Sequence, residues 1–229
     1  MRLNHFIAQA SGLSRRAADR AIAEGQVLVN GHPAVLGQDI TDANSVTLNQ
    51  RKLVLPKTTT IVIFNKPIGY VSSRDGQGSK TIYDLLPLEL HSLKPVGRLD
   101  KDSSGLLLLT DNGQLAHELT HPRFYKEKVY EIELDKSLEP EDQVKIEAGI
   151  QLDDGLSKLK LKKLPSKQAW QVTMHEGRNR QIRRTFTALG YNIAKLHRVK
   201  FGNYELGRLK QGQLLRVFSY VSIVAEIAR

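Results

Sequence analysis

The stretch Gly97-Arg98-Leu99-Asp100-Lys101-Asp102-Ser103-Ser104-Gly105 sets a carboxylate on a polar, glycine-bounded loop that runs into four consecutive leucines, residues 106–109. Such an apolar run reads as a buried strand, and a carboxylate on a loop anchored to a rigid strand is well placed for chemistry. An aspartate ahead of Ser-Ser-Gly also serves simply to hydrogen-bond a turn, so Asp100 by itself supports both readings. Asp102 adds a third, because two aspartates at this spacing can ligate Mg²⁺. No third acid follows at a supporting spacing, however, and no P-loop is present.

Two further groups carry the same ambiguity. Tyr130 lies where Tyr130, Ile132 and Leu134 alternate with Val129, Glu131 and Glu133, so it is either a core tyrosine or a ring that stacks on a ligand. Arg178, Arg180, Arg183 and Arg184 crowd the start of a helix whose buried stripe is Ile182, Phe186 and Leu189; from the residues alone all four suit phosphate contacts on the surface. The chain has no cysteine, which removes disulfides, thiolate zinc sites and a cysteine nucleophile.

The elements that must position these residues fall into two groups. In the first fifty residues, Leu3, Phe6 and Ile7 form a short helical stripe. Ser14 is suited to cap a second helix through Ala17, Ala18, Ala21 and Ile22, which Gly25 closes. Val27 and Val29 alternate with polar neighbours and end at Asn30-Gly31, a tight-turn signal, and Val46 and Leu48 repeat the alternation. The pairs Arg15–Arg20 and Arg16–Arg20 can share a face of the second helix opposite its alanines, which by itself suits a merely solvated face. Residues 49–59 are polar with one proline and read as a linker. From residue 60 the pattern is mostly strand-like, at 61–64, 106–110, 129–134, 158–164 and 170–174, with helices near 143–148 and 181–189. Many strands with few helices predict an α+β domain with a largely antiparallel sheet.

The formal charge is +10, and its location matters more than its size. Residues 1–50 carry four arginines against four acids, whereas residues 158–216 carry fifteen lysines and arginines against Glu176 and Glu205 alone. A polyanion such as RNA or DNA is the natural partner for that surface. No stretch reaches the roughly 20 apolar residues that span a bilayer, and the N-terminus lacks a long apolar core, so a cytoplasmic protein with no membrane partner is expected.

Leu3-x-x-Phe6-Ile7-Ala8, Ser14-Arg15-Arg16-Ala17-Ala18 and Ile22-x-x-Gly25-x-Val27-x-Val29-Asn30-Gly31 together resemble the S4-type RNA-binding domain. That resemblance covers residues 1–48 and implies RNA binding through Arg15, Arg16 and Arg20. Gly97-Arg98-Leu99-Asp100-x-x-Ser103-x-Gly105, with the leucines and Thr110-x-Asn112-Gly113, resembles the catalytic motif of the ribosomal RNA pseudouridine synthases that carry such a domain. Asn65-Lys66-Pro67-x-Gly69-Tyr70-Val71, His121-Pro122 with Lys128-Val129-Tyr130, the run from Glu176 to Arg184, and Leu196-His197-Arg198 resemble the family's remaining motifs in order, over about residues 60–225.

The resemblance implies an S4-type domain at 1–48, a linker at 49–59 and a pseudouridine synthase domain at 60–229 with a mixed, largely antiparallel sheet. It makes Asp100 the nucleophile, stacks Tyr130 on a base flipped out of the RNA, points Arg183 at the Asp100 carboxylate and packs Leu196 beneath the base. Lys66, Arg98, Arg178 and Arg180 become phosphate contacts. Detaching uracil, turning it and rejoining it through carbon involves no redox or phosphoryl step, so no cofactor and no metal are expected. The implied partner is ribosomal RNA or a pre-ribosomal particle, met by a monomer. Gly76-x-x-x-x-Thr81-Ile82-Tyr83-Asp84-Leu85-Leu86-Pro87, residues 177–180 and Val199-x-Phe201-Gly202 look closer to the large-subunit branch, with small-subunit RNA as the alternative. Two rivals stand beside this reading. One is a metal-dependent phosphotransferase or nuclease on Asp100 and Asp102. The other is a non-catalytic RNA-binding or ribosome-assembly protein, which would be expected to have lost one of Asp100, Tyr130 or Arg183.

Overall fold

A computed structural model describes residues 1–56 and 58–220. Lys57 of the expected linker and residues 221–229 of the expected second domain lie outside the described residues. The chain divides into two compact units, one built on Met1–Thr60 with Asp111–Gly113, the other on Ile61–Thr110 and Gln114–Val217. Among the described residues no helix is long and apolar enough to cross a membrane.

In the first unit, helix α1 (Leu3–Ser11) is followed by α2 (Arg15–Ala23). The Ser14 hydroxyl caps α2 by accepting the Ala17 amide at 3.1 Å. Leu3 and Ile7 of α1 and Ala18, Ala21 and Ile22 of α2 are buried together, leaving Arg15, Arg16 and Arg20 exposed. Strands β1 (Val27–Val29), β2 (His32–Pro33), β3 (Val46–Leu48) and β4 (Arg51–Lys52) form an antiparallel sheet in the order β2-β1-β3-β4. Asn30 and Gly31 take φ of 52° and 83°, the left-handed pair of a tight hairpin turn. Strand β4 falls within the expected linker. Asn49 and Gln50, both at positive φ, turn the chain straight back onto β3, and Leu53 packs on the core.

The second unit is organised by one sheet. Its strands are β5 (Thr58–Lys66), β6 (Lys94–Val96), β7 (Ser104–Thr110), β8 (Lys128–Leu134), β11 (Lys160–Lys163), β12 (Ala169–Met174), β13 (Ile193–Phe201), β14 (Tyr204–Glu205) and β15 (Leu214–Tyr220). The order is β11-β12-β8-β13-β7-β5-β15, with β14 on β13 and β6 on β7. Helices α3 (Gly113–Thr120), α4 (Pro140–Ala148) and α5 (Gln181–Thr187) and the hairpin of β9 (Ile150–Leu152) with β10 (Gly155–Ser157) complete the framework. The β13–β7 pairing is parallel and the other described registers are antiparallel, so the expected mixed, largely antiparallel sheet is what forms.

The four leucines of β7 are all buried because both faces of the sheet are covered. Leu107 and Leu109 join Phe64, Ile132 and Phe186 on one side, whereas Leu106 and Leu108 join Ile61, Ile63 and Phe201 on the other. Gly105, at φ 103°, is where β7 meets β13: a Cβ there would sit 2.3 Å from the Arg198 carbonyl oxygen. Only glycine permits that approach. Strand β13 is not among the strands expected from the sequence, although it lies between β8 and β7. Register shifts between Ile193 and Lys195 and between Arg198 and Lys200 reset its alternation, which hides the period-two signal.

Candidate active site

The loop that carries Asp100 is held through its backbone. Leu99 is buried, and the Ser72 hydroxyl both accepts the Leu99 amide at 3.1 Å and donates to the Leu99 carbonyl at 2.8 Å. The Lys66 ammonium donates to the carbonyls of Pro67 (3.0 Å), Asp100 (3.0 Å) and Ser103 (2.7 Å). All three of its protons are thereby used. Lys66 is 0 % exposed, so its expected role as a phosphate contact is corrected: it ties the end of β5 to the aspartate loop. Burial pulls its pKa down to about 8, against the pull of the Asp100 and Asp102 charges.

Beside this loop opens a cleft of about 510 Å³, lined among others by Arg98, Asp100, Tyr130, Arg180, Leu196 and Arg198. Tyr130 comes from β8 and Leu196 from β13, one strand away, and both are buried in the cleft wall. Arg98 is exposed on the loop that bears Asp100. Lys128 and Arg198, which the sequence motifs contain but to which they give no role, lie two residues before Tyr130 and two after Leu196. For Lys128 the period-two spacing from Tyr130 is a signal; for Arg198 the bulges of β13 obscure it. Arg198 is 2 % exposed, donates from Nε to the Leu106 carbonyl at 2.7 Å and lies 4.9 Å from the centre of the Phe201 ring. Lys128 donates to the Glu176 carbonyl at 3.2 Å. Burial first, and then the Arg198 charge, bring its pKa down to about 8.

The arginines around α5 differ from expectation. Asp100 is reached by Arg180, with Nη1 3.5 Å from Oδ2, and the same guanidinium grips Asp102 with two hydrogen bonds of 3.0 Å. Arg180 sits at the N-cap of α5 with φ 46°, and this left-handed turn aims it back at the aspartate loop. Arg183 makes no ion pair with Asp100. Its Nη2 donates to the Asp102 carbonyl at 2.9 Å, its Nη1 to the Ile193 carbonyl at 2.8 Å, and its Nε lies 3.3 Å from Asp102 Oδ2. Within ion-pair distance Asp100 is therefore met by Arg180, while Arg183 grips the neighbouring Asp102 and still feels the Asp100 charge. Burial pushes the Asp102 carboxyl up, but the Arg180 hydrogen bonds and the Arg183 and Arg180 charges outweigh it, so its pKa lies below the usual value.

Arg178 is also corrected as a phosphate contact. Its guanidinium donates to the Asp154 carboxylate (2.8 Å), the carbonyls of Gly155 (2.9 Å) and Leu156 (3.0 Å), and the Glu176 carboxylate (3.1 Å). It pins the β9–β10 hairpin to the segment before α5 and has little left for a ligand. Arg184 holds Asp154 as well, at 2.6 Å. Of the fifteen basic residues between 158 and 216, Arg178, Arg180, Arg183, Arg184, Lys200 and Arg216 stand in ion pairs, so the free positive surface is smaller than the sequence count implies.

Residues 60–188 match the family model for RNA pseudouridylate synthase, and residues 1–39 match the S4 domain. The chain belongs to the RNA pseudouridylate synthase family. It is an isomerase with an S4 domain at its N-terminus. A protein of Bacillus subtilis (strain 168) named ribosomal large subunit pseudouridine synthase B is 37% identical over 220 residues, which cover 92% of this chain and 89% of the relative. An RNA pseudouridine synthase of Aquifex aeolicus (strain VF5) is 32% identical over 238 residues, with coverage of 97% and 96%. A crystal structure of a pseudouridylate synthase superposes with a TM-score of 0.68 at 32% identity, covering 95% of this chain and 96% of its own. The synthase domain model takes in β5, the Asp100 loop, Tyr130 and the α5 arginines but ends before Leu196 and Arg198.

Proposed function

We propose that this pseudouridine synthase modifies a uridine of large-subunit ribosomal RNA, with the Asp100 carboxylate as nucleophile. The observation that carries the assignment is the immobilised Asp100 loop. Lys66 and Ser72 fix its backbone, and Arg180 reaches its carboxylate at the edge of a cleft that also holds Tyr130 and Leu196. A preset nucleophile of this kind loses little orientational freedom on reaction. The reaction breaks the bond from ribose C1′ to N1 of the base and forms one from C1′ to C5. A proton leaves C5 and one is gained at N1, with nothing oxidised or reduced. In this reading Tyr130 stacks on the extruded base, Leu196 supports it, and Arg180 balances the Asp100 charge. Arg183 works through Asp102, and Arg98 meets backbone phosphate. The large-subunit assignment is supported by the name of the Bacillus subtilis relative, and the S4 domain supplies affinity through Arg15, Arg16 and Arg20.

The test offers naked large-subunit RNA, naked small-subunit RNA, transfer RNA and intact subunits to the full chain, then maps modified uridines by carbodiimide-blocked primer extension. Modification of large-subunit RNA alone is expected. Product confined to small-subunit or transfer RNA would overturn the target, and product undiminished in Asp100→Asn would overturn the nucleophile.

A further inference from the structure

A second groove, of about 870 Å³, shares Pro122, Met174 and Glu176 with the Asp100 cleft and so continues it across the same unit. At its edge stands Tyr125, 76 % exposed, the one exposed Phe, Tyr or Trp ring among residues whose side chains are described. Its backbone is held at both ends: the amide donates to the Pro122 carbonyl at 3.0 Å, and the carbonyl accepts from His175 Nδ1 at 3.2 Å. Its φ is 47°, in the left-handed region that a bulky residue occupies only at a cost and that glycine or asparagine fills more easily. A large ring is therefore presented to solvent on a rigid, unfavourable turn, where packing explains nothing about it.

The charges along the groove are not balanced. Its three carboxylates are engaged: Glu127 pairs with Lys200 at 3.1 Å, Glu147 accepts the Leu161 amide at 3.1 Å, and Glu176 pairs with Arg178 at 3.1 Å. Arg123, Lys158 and Lys160 line the same groove, are exposed, and stand in no ion pair among the described residues. Leu156, 49 % exposed, adds an apolar wall. Arg123 lies over the Phe124 ring, 4.5 Å from its centre, which leaves its charge unpaired. An aromatic platform beside cations without an acidic partner is how proteins hold single-stranded nucleic acid.

We propose that this groove binds an unpaired RNA nucleotide flanking the modified uridine, its base stacked on Tyr125 and its phosphates met by Arg123, Lys158 and Lys160. This rests on the reading of the Asp100 cleft as the uridine site, and it narrows the substrate. The target must sit in a strand with at least one unstacked neighbour, so an isolated uridine bulge in continuous helix is a poor substrate. A plainer account covers Lys160 alone, on strand β11. Strand β11 is the edge of its sheet, and edge lysines discourage strand pairing between molecules. That account gives Tyr125 no role.

The experiment measures anisotropy of a fluorescein-labelled nine-nucleotide oligouridylate, and of a blunt nine-base-pair RNA duplex, with the full chain. Tyr125→Ala is expected to weaken the single strand roughly tenfold and the duplex less than about twofold. Tyr125→Trp is expected to restore the single strand. Lys158→Gln combined with Lys160→Gln is expected to lower the salt slope for the oligouridylate by about 1.4, two single-strand phosphate contacts. The proposal is overturned if Tyr125→Ala leaves oligouridylate affinity unchanged, if single strand and duplex weaken equally, or if tryptophan fails to rescue. A wild-type chain that forms no pseudouridine in any ribosomal RNA would instead sink the synthase reading, while the oligouridylate titrations would still decide whether the groove binds a single strand.

Discussion

Two arginine clusters of this chain share a composition and differ in everything else. On α2, Arg15, Arg16 and Arg20 are exposed and stand in no ion pair among the described residues; the one side-chain contact is a 3.4 Å hydrogen bond from Arg15 to Asn4. Around α5, Arg178, Arg180, Arg183 and Arg184 reach back to Asp100, Asp102, Asp154 and several carbonyls. A guanidinium carries five donors in a fixed fork. Where loops return to fill that fork, the arginine is a structural clamp, and where nothing returns it is available to a ligand. Charge density alone cannot separate the two.

The contrast breaks first at Asp100, the proposed nucleophile beside the clamps. Asp100→Asn is expected to lower turnover about 10³-fold or more while RNA binding stays within about twofold, measured by pseudouridine release after nuclease digestion and by filter binding. Asp100→Glu should fail too, since one methylene misplaces the reacting oxygen. Next in size is the clamp itself. Arg183→Ala removes two charge-assisted hydrogen bonds from a largely buried guanidinium and should cost about 2 kcal/mol of stability in urea titration, along with most turnover. Arg180→Ala, at a more exposed position, should cost under about 1 kcal/mol of stability yet still lower turnover, because Asp100 loses its direct partner. Equal stability losses in the two variants would erase the distinction between clamp and partner.

The α2 cluster predicts the reverse pattern. Changing Arg15, Arg16 and Arg20 together to alanine should leave unfolding within about 0.5 kcal/mol per site but weaken RNA binding. It should also reduce the salt slope by about 0.7–0.9 for each phosphate that the helix no longer meets. Unchanged affinity and slope would make that face merely solvated. The last test concerns Lys66, whose pKa falls from 10.5 to about 8. Between those values the unfolded chain binds the proton and the folded chain does not, so the burial penalty is full below about pH 8 and relieved towards 10.5. Compared with Lys66→Met, the wild type should gain stability between pH 7.5 and 9.5, measured by urea midpoints; a difference that shrinks over this range would contradict the assignment.

Much of the site is legible in the sequence because local chemistry announces it. Gly97, Ser103-Ser104-Gly105 and the leucine run define a loop entering a buried strand, and Ser14 and Asn30-Gly31 mark the N-terminal elements through capping and turn geometry that operate within a few residues. What stays hidden depends on distant backbone. Lys66 reads as a phosphate contact because its charge is visible in the sequence, while the Asp100 and Ser103 carbonyls that consume it lie 34 and 37 residues away. Arg178 misleads for the same reason, its acceptors Asp154, Gly155 and Leu156 coming from a hairpin that precedes it. Arg198 escapes because a buried guanidinium in a bulged strand satisfies neither an apolar pattern nor a surface one.

The contact of Gly105 with Arg198 also sets an order of events during synthesis. The N-terminal unit closes over short separations, with α1 on α2 and β1 between β2 and β3. The β7–β13 pairing joins residues 104 and 105 to 197 and 198, so the strand bearing Leu196 and Arg198 cannot dock until nearly the whole chain has left the ribosome. At roughly 5–20 residues per second, the stretch from residue 60 to residue 201 takes about 7–28 seconds to emerge. For that interval a growing chain displays its arginine helix without a complete cleft, and Asp100 waits on the loop before a strand whose parallel neighbour has not yet been made.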